Sequence, residues 1–372
     1  MKPLFPLPST AAPALRVEAL CKSFRKTQAL AGVDFCVPEG SLTVLLGAAG
    51  AGKTTTLRVI AGLDRPDSGR VFLRGEDAGA REPKDRDIAM IFDNLALYPN
   101  KTGFENIAHP LRIHGMARAD IEAHVAQVSA TLRIGHILQR LPKTMSGGER
   151  QRVALGRALV RQPTLFLLDE PLSSLDAMLR IELRAELKRL QREFGYSFLF
   201  ATPDFAEAMA VADTVVMLRE GKVVQVADAQ TLYERPADRE IARFVGAPEI
   251  NLLPAQFDAA EGGRVRVCGA SLEAPAALRA ALGTSDIAFD AGIRPEHLRL
   301  VDPARASIRA GVTDIEPLGL KSAITAHSDG AELRLVVDAV QARGMALGEA
   351  VGLSVDIHQL HAFDRASGLR LG

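Results

Sequence analysis

The chain has 372 residues, 47% hydrophobic and 24% charged, enough material for two or more packed domains of a globular protein. Its 45 basic and 45 acidic residues balance, so no global field draws it to nucleic acid or to an anionic membrane surface, and a membrane role has to pass through a protein partner. No run reaches the roughly 18 apolar residues of a spanning helix, and prolines interrupt the opening MKPLFPLPSTAAPALR where a signal peptide needs a continuous core, so a cytoplasmic chain is expected.

Residues 1–14 read as an N-terminal extension. LRVEAL and VDFCV then read as strands, Pro38-Glu39-Gly40 as a turn, and SLTVLLG as a strand that runs into the helical KTTTLRVIAGL. At that junction Gly47, Ala48, Ala49, Gly50, Ala51, Gly52, Lys53 and Thr54 match GxxxxGK[ST]. Small residues let the backbone curl so that successive N–H groups face phosphate oxygens, and the helix N-terminus adds its partial positive charge. Lys53 is expected to reach the β- and γ-phosphates of ATP and Thr54 to hold Mg²⁺ through its hydroxyl, with Thr55 completing the ATP-binding set.

The stretch from about Leu95 to Leu141 is patterned as helix. Met145-Ser146-Gly147-Gly148-Glu149 then opens another helix, with Ser146 and Glu149 at capping-box spacing and two glycines that leave the helix end open to a phosphate. A plain capped helix is the alternative for that segment taken alone. LFLLD, ending on Asp169, is a short apolar run suited to a buried parallel strand, and Glu170 follows it. Such a pair suits a metal relay, Asp169 orienting Mg²⁺ and Glu170 polarising the attacking water, or else a strand that stops at a solvated acidic turn.

A long charged helix is expected over Ala177 to Phe194, and YSFLFAT and TVVMLREGKVVQV continue the strand and helix alternation to about residue 230. Beyond Gly246-Ala247-Pro248 the pattern changes to short apolar stretches such as RVRVCGASLEA, IAFDAGI, LRLVV and GLSVDI, which suit a small β-rich domain over 247–372. Cys21, Cys36 and Cys268 are scattered without CxxC spacing and are expected to be buried, inert thiols.

Together these segments resemble the ATP-binding cassette (ABC) family across residues 15 to 240, with the motifs in family order. The resemblance implies an α/β P-loop NTPase cassette over 15–246 with a helical subdomain at about 95–150. It also implies a head-to-tail dimer in which ATP lies between one chain's phosphate loop and the other's Ser146-to-Glu149 signature, with Ser174 and Asp176 in the D-loop. Phe24 occupies the place of the aromatic that stacks on adenine, although an ordinary core or edge phenylalanine fits the same position. IFDNLALYPNKTGFENI is similar to the segment that meets the membrane subunit in carbohydrate importers. YERPADREIARFVGAPEINLL and GIRPEHL resemble the linker and the OB-like (TOBE) accessory domain of maltose and glycerol-phosphate importer ATPases. The partners implied are a second ATPase subunit, two integral-membrane permeases and an extracytoplasmic solute-binding protein, with this chain peripheral on the cytoplasmic face of the membrane.

Two positions depart from the family pattern. Asp93 stands where a glutamine contacts Mg²⁺ and the attacking water; it remains a hard oxygen ligand, one methylene shorter and negatively charged beside the γ-phosphate. Pro203 stands where a histidine touches the γ-phosphate, and proline has neither a side-chain donor nor a backbone N–H. No histidine lies between His136 and His297 to replace it. The expectation is a degenerate own site whose signature completes the site of a catalytically whole, non-identical ATPase, in an importer of a sugar, glycerol or another polyol. A fully active homodimeric transport ATPase and a non-hydrolysing nucleotide-gated subunit are the competing readings.

Overall fold

The computed structural model describes residues 12–173, 175–260 and 262–372; most of the expected N-terminal extension and the D-loop Ser174 lie outside them. The chain forms two units divided between Gln230 and Thr231. Among the described residues no helix is long and apolar enough to cross a membrane.

The first unit begins with β1 (Leu15–Phe24) and β2 (Thr27–Val37), an antiparallel pair, and β3 (Leu42–Leu46) leads through the phosphate loop into α1 (Lys53–Ala61). Then come β4 (Ser68–Leu73), β5 (Glu76–Asp77) and β6 (Ile88–Ile91), followed by α2 (Gly103–Ile113), α3 (Arg118–Leu132) and α4 (Gly147–Leu159). The unit closes with β7 (Leu165–Asp169), α5 (Ala177–Phe194), β8 (Ser197–Thr202), α6 (Phe205–Val211), β9 (Thr214–Arg219) and β10 (Lys222–Ala227). The expected bounds of the long charged helix match α5.

Two sheets result, ordered β2-β1-β4-β5 and β10-β9-β3-β8-β7-β6. In the second, β9, β3, β8, β7 and β6 run parallel, and every residue of β3, β7 and β8 is buried, as apolar runs without alternation require. On β2 the residues alternate instead: Val33, Phe35 and Val37 face the core while Asp34 and Cys36 face out. This corrects the expectation of buried thiols, since Cys36 is exposed and Cys21 and Cys268 are half-buried.

The boundary falls within α7 (Ala229–Glu234), and the second unit goes on with α8 (Arg239–Phe244), then β11 (Asn251–Asp258), β12 (Arg264–Val267), β13 (Ala270–Glu273), α9 (Ala276–Leu282) and β14 (Ile287–Ile293). It continues with β15 (Leu298–Val301), β16 (Ile308–Leu318), β17 (Lys321–Ser328), β18 (Ala331–Asp338), α10 (Ala339–Ala342), β19 (Ala350–Val355) and β20 (His361–Asp364). Its antiparallel sheets are ordered β13-β12-β11-β14-β20 and β15-β19-β16-β17-β18, and they share one apolar core. This unit starts earlier than the boundary expected at 246/247 because a fully buried guanidinium, Arg294, fastens the preceding segment to it. Arg294 donates to the carbonyls of Tyr233 at 2.8 Å, Ala242 at 2.9 Å and Val245, and it stacks on the Tyr233 ring 3.9 Å from the centroid.

Candidate nucleotide site

Parallel strands deliver their loops to the same end of a sheet, and β3, β8, β7 and β6 are consecutive neighbours here. Leu46 pairs with Thr202, Ala201 with Asp169, and Leu168 with Ile91. The residues that follow those pairs are therefore brought side by side: Gly47 after β3, Pro203 after β8, Glu170 after β7, and Asp93 two residues beyond β6.

The phosphate loop is shaped by close backbone approach. A Cβ at Gly47 would sit 2.3 Å from the Leu218 carbonyl oxygen, and Gly52, at φ +106°, would meet the Ala29 oxygen at 2.6 Å. Ala48, Ala49 and Gly50 form the exposed rim, Ala51 is buried beneath them, and Thr55 is half-buried in the first turn of α1. Lys53, 4% exposed, curls back so that Nζ donates to the Gly47 carbonyl at 2.9 Å and the Ala48 carbonyl at 3.1 Å, with Glu170 Oε1 3.3 Å away.

Thr54 Oγ1 donates to Asp169 Oδ1 at 3.0 Å. Burial raises the Asp169 carboxyl above its ordinary value against the lowering effect of that hydrogen bond, and the negative charges of Glu170 and Asp93 add to the rise. Asp169 and Glu170 thus stand beside Lys53, with Asp93 close enough to be felt electrostatically, although no group of three metal-ligating side chains forms among the described residues. Hydroxyl and carboxylate oxygens are the hard ligands Mg²⁺ takes, so Thr54 and Asp169 are suited to hold it beside nucleotide phosphates. Glu170 adopts φ +44°, a conformation unusual for a non-glycine residue, and its N–H is held by the Ala201 carbonyl at 3.0 Å.

Pro203 is exposed between Thr202 and Asp204. Thr202 Oγ1 accepts from the Asp204 N–H at 3.0 Å and donates to the buried Glu207 at 2.6 Å, so the turn is pinned without any donor from position 203. Asp93 is exposed, with its Oδ1 accepting from the Asn94 N–H at 2.7 Å. Phe24, 46% exposed at the end of β1, carries Lys22 Nζ 5.2 Å from its ring centroid, so it is an available stacking face and not a core residue.

The signature forms the expected capping box: Ser146 Oγ accepts from the Glu149 N–H at 3.2 Å and Glu149 Oε2 accepts from the Ser146 N–H at 2.6 Å. Gly147 and Gly148 open α4, packed under Leu175 and Leu179, and Asp176 caps α5 through the Leu179 N–H at 3.0 Å. Sequence reading missed the supports of these groups. Arg140 Nη1 reaches Glu149 Oε1 at 3.1 Å, the buried Gln151 donates to the Pro171 carbonyl, and Arg157 holds the carbonyls of Leu95 at 2.8 Å and Ala96 at 2.6 Å in the segment after Asp93. Only Gln151 left a trace in the sequence, as a polar residue on the inward face of a patterned helix.

The model of the ABC transporter family matches residues 30–173, and that of the TOBE domain matches residues 291–363. The sn-glycerol-3-phosphate import ATP-binding protein UgpC of Cereibacter sphaeroides is 40% identical over 356 residues, covering 94% of this chain and 97% of its own. The chain belongs to the ABC transporter family. UgpC proteins of Salmonella typhi and Burkholderia mallei are each 39% identical to this ABC chain, over 96% of it and 99% of their own length. Among solved structures, the dimeric ATP-binding cassette MJ0796 in a post-hydrolysis state with ADP and Pi aligns with TM-score 0.53 and 25% identity, over 58% of this chain and 98% of that one. CbiO1 from Clostridium perfringens aligns with TM-score 0.56 and 26% identity, over 60% and 92%. The fold is therefore an ABC cassette of P-loop type followed by a β-rich, OB-like TOBE domain.

Proposed function

We propose that this chain is the ATP-binding subunit of an ABC importer for a glycerol phosphate or a related polyol or sugar, peripheral on the cytoplasmic face of the membrane through two permeases served by a solute-binding protein. The observation that carries the nucleotide role is the convergence of Lys53, Thr54, Asp169 and Glu170 at one end of the parallel sheet. Lys53 exchanges its two loop carbonyls for phosphate oxygens, Thr54 and Asp169 hold Mg²⁺, and Glu170 orients and polarises the water. The names of the relatives support glycerol 3-phosphate as the first solute to try. Loss of labelled glycerol 3-phosphate uptake on deleting the gene, restored by the wild-type chain, is the expected result; unchanged uptake would exclude that solute.

The chain's own site is weakened, because no donor stands at Pro203 beside Gly47 and Asp93 adds charge near Asp169. Its signature, Ser146 to Glu149, with Ser174 and Asp176 nearby in sequence, completes the site of a non-identical partner ATPase. Removing a transition-state donor typically costs about 10²- to 10³-fold in turnover, so Pro203→His is expected to raise ATP turnover of the assembled transporter. Glu170→Gln is expected to lower it less than the matching change in the partner. Equal loss from the two glutamine variants would sink the division of labour and leave a fully active pair of sites.

A further inference from the structure

Gln151 is out of keeping with the inward face of α4, where Val153, Ala154 and Leu155 are buried apolar residues. Its side chain is 3% exposed and donates through Nε2 to the Pro171 carbonyl, whereas its buried Oε1 has no hydrogen-bond partner among the described residues. One bond made and one buried polar atom left unsatisfied nearly cancel, so stability does not explain an amide at a position where methionine has the same length. A polar residue that breaks a local packing rule without stabilising the fold is the mark of a place where geometry matters more than stability.

The bond holds the turn that carries Glu170. That residue sits at φ +44°, a conformation that persists only where its surroundings over-determine it. Its N–H donates to the Ala201 carbonyl at 3.0 Å, and its own carbonyl accepts from the Ser173 N–H at 3.3 Å and from Ser173 Oγ at 2.9 Å. These anchors come from the neighbouring strand β8 and from the turn itself. The anchor on the next carbonyl, that of Pro171, comes from a different element, because Gln151 stands on α4, 20 positions earlier in the chain. The approach of α4 to this segment is close: a Cβ at Gly148 would lie 2.8 Å from Leu179 Cδ2 and one at Gly147 would lie 3.4 Å from Leu175 Cδ2.

We propose that Gln151 is a positioning residue for the carboxylate of Glu170. By fixing the Pro171 carbonyl it keeps the strained turn in place, and with it Glu170 Oε1 at 3.3 Å from Lys53 Nζ, the orientation from which an attacking water is polarised. The inference rests on the reading of Glu170 as the group that polarises that water. It gives α4 two roles: the end capped by Ser146 serves the partner's nucleotide, and Gln151, one turn on, serves this chain's own carboxylate.

The test compares wild type, Gln151→Met, Glu170→Gln and the double variant in the assembled transporter. Methionine keeps the length of the side chain and removes the donor. Gln151→Met is expected to leave the thermal midpoint of the full chain within about two degrees of wild type. It should leave KM for ATP unchanged and lower kcat by most of the loss that Glu170→Gln produces, and in the Glu170→Gln background it should lower kcat no further. In hydrogen exchange, the amides of Glu170, Leu172 and Ser173 are expected to open about fivefold more readily in Gln151→Met, with those of Leu165–Asp169 unchanged. Unchanged exchange in that turn overturns the proposal, as does a kcat loss that multiplies with that of Glu170→Gln, or a lowered midpoint with kcat intact. Should Glu170→Gln by itself leave turnover unchanged, the water-polarising reading fails, and the exchange of the turn alone then decides whether Gln151 positions Glu170.

Discussion

Thr54 Oγ1 and Asp169 Oδ1, 115 positions apart in the chain, are joined by a 3.0 Å hydrogen bond across the carboxyl ends of β3 and β7. A hydroxyl that ends one motif and a carboxylate that ends another are thus paired in advance of the cation that both are suited to hold. The pairing does not remove the cost of the site: burial and neighbouring charges leave the Asp169 carboxylate poorly stabilised.

Asp169→Asn is accordingly expected to stabilise the nucleotide-free chain while abolishing its Mg²⁺-dependent nucleotide binding. The folded carboxyl holds its proton more tightly than the unfolded one, so stability declines as pH rises from the ordinary 3.8 through the raised value and stays reduced above it. At neutral pH the amide should gain about 0.5–2 kcal/mol in urea denaturation, and near pH 3 the two proteins should converge. A wild-type chain more stable than the variant at neutral pH would show that the buried charge is satisfied after all.

Ser146 and Arg140 both act on Glu149, but with different weights. Ser146→Ala removes a helix cap and is expected to cost about 1 kcal/mol. Arg140→Ala breaks an ion pair whose partners are 41% and 23% exposed, and such pairs are worth well under about 1 kcal/mol. Chemical denaturation of the two variants should rank them in that order; the reverse ranking would mean that the ion pair, not the cap, holds the signature.

Arg294→Leu strips the hydrogen-bond donors from the carbonyls of Tyr233, Ala242 and Val245. At about 1 kcal/mol for each orphaned acceptor, a loss of about 3 kcal/mol is expected, read as a lowered thermal midpoint of the second unit. A midpoint within a degree of the wild type would show that water takes over those carbonyls.

Acid should loosen the second unit through His361. The buried ring is held neutral down to about 3, whereas in the unfolded chain it protonates near the ordinary 6.5. The unfolded chain therefore binds the extra proton, and stability is complete above about 6.5 and falls steadily as pH drops towards 3. His361→Asn keeps an acceptor for Arg370 and removes the titration, so its stability should depend less steeply on pH in that window. Identical slopes for the two proteins would assign the acid loss to other groups.

Local chemistry made much of the cassette legible before any coordinates. The phosphate loop, the LFLLD strand, the SGGE cap and α5 are each specified by residues within a few positions of one another: small residues for close backbone approach, apolar runs for burial, a serine and a glutamate at capping distance. The absence of donors at Pro203 is likewise a property of one side chain and one missing N–H. What the sequence by itself determined is therefore the list of parts, the nucleotide chemistry they suit and the family they belong to.

Tertiary structure decided which parts meet. Strand order alone sets Pro203 beside Gly47 and brings Asp93 within electrostatic reach of Asp169. Arg140 and Arg157 became visible only as donors to groups 9 and 61 positions away, because a long cationic side chain carries no signature of the carbonyl or carboxylate it will find. The same holds for Arg294, which moves the start of the second unit ahead of its β-rich sequence, and for the buried His361 that Arg370 reaches. Burial and charge at such places are sums over neighbours distant in the chain, and only the fold chooses those neighbours.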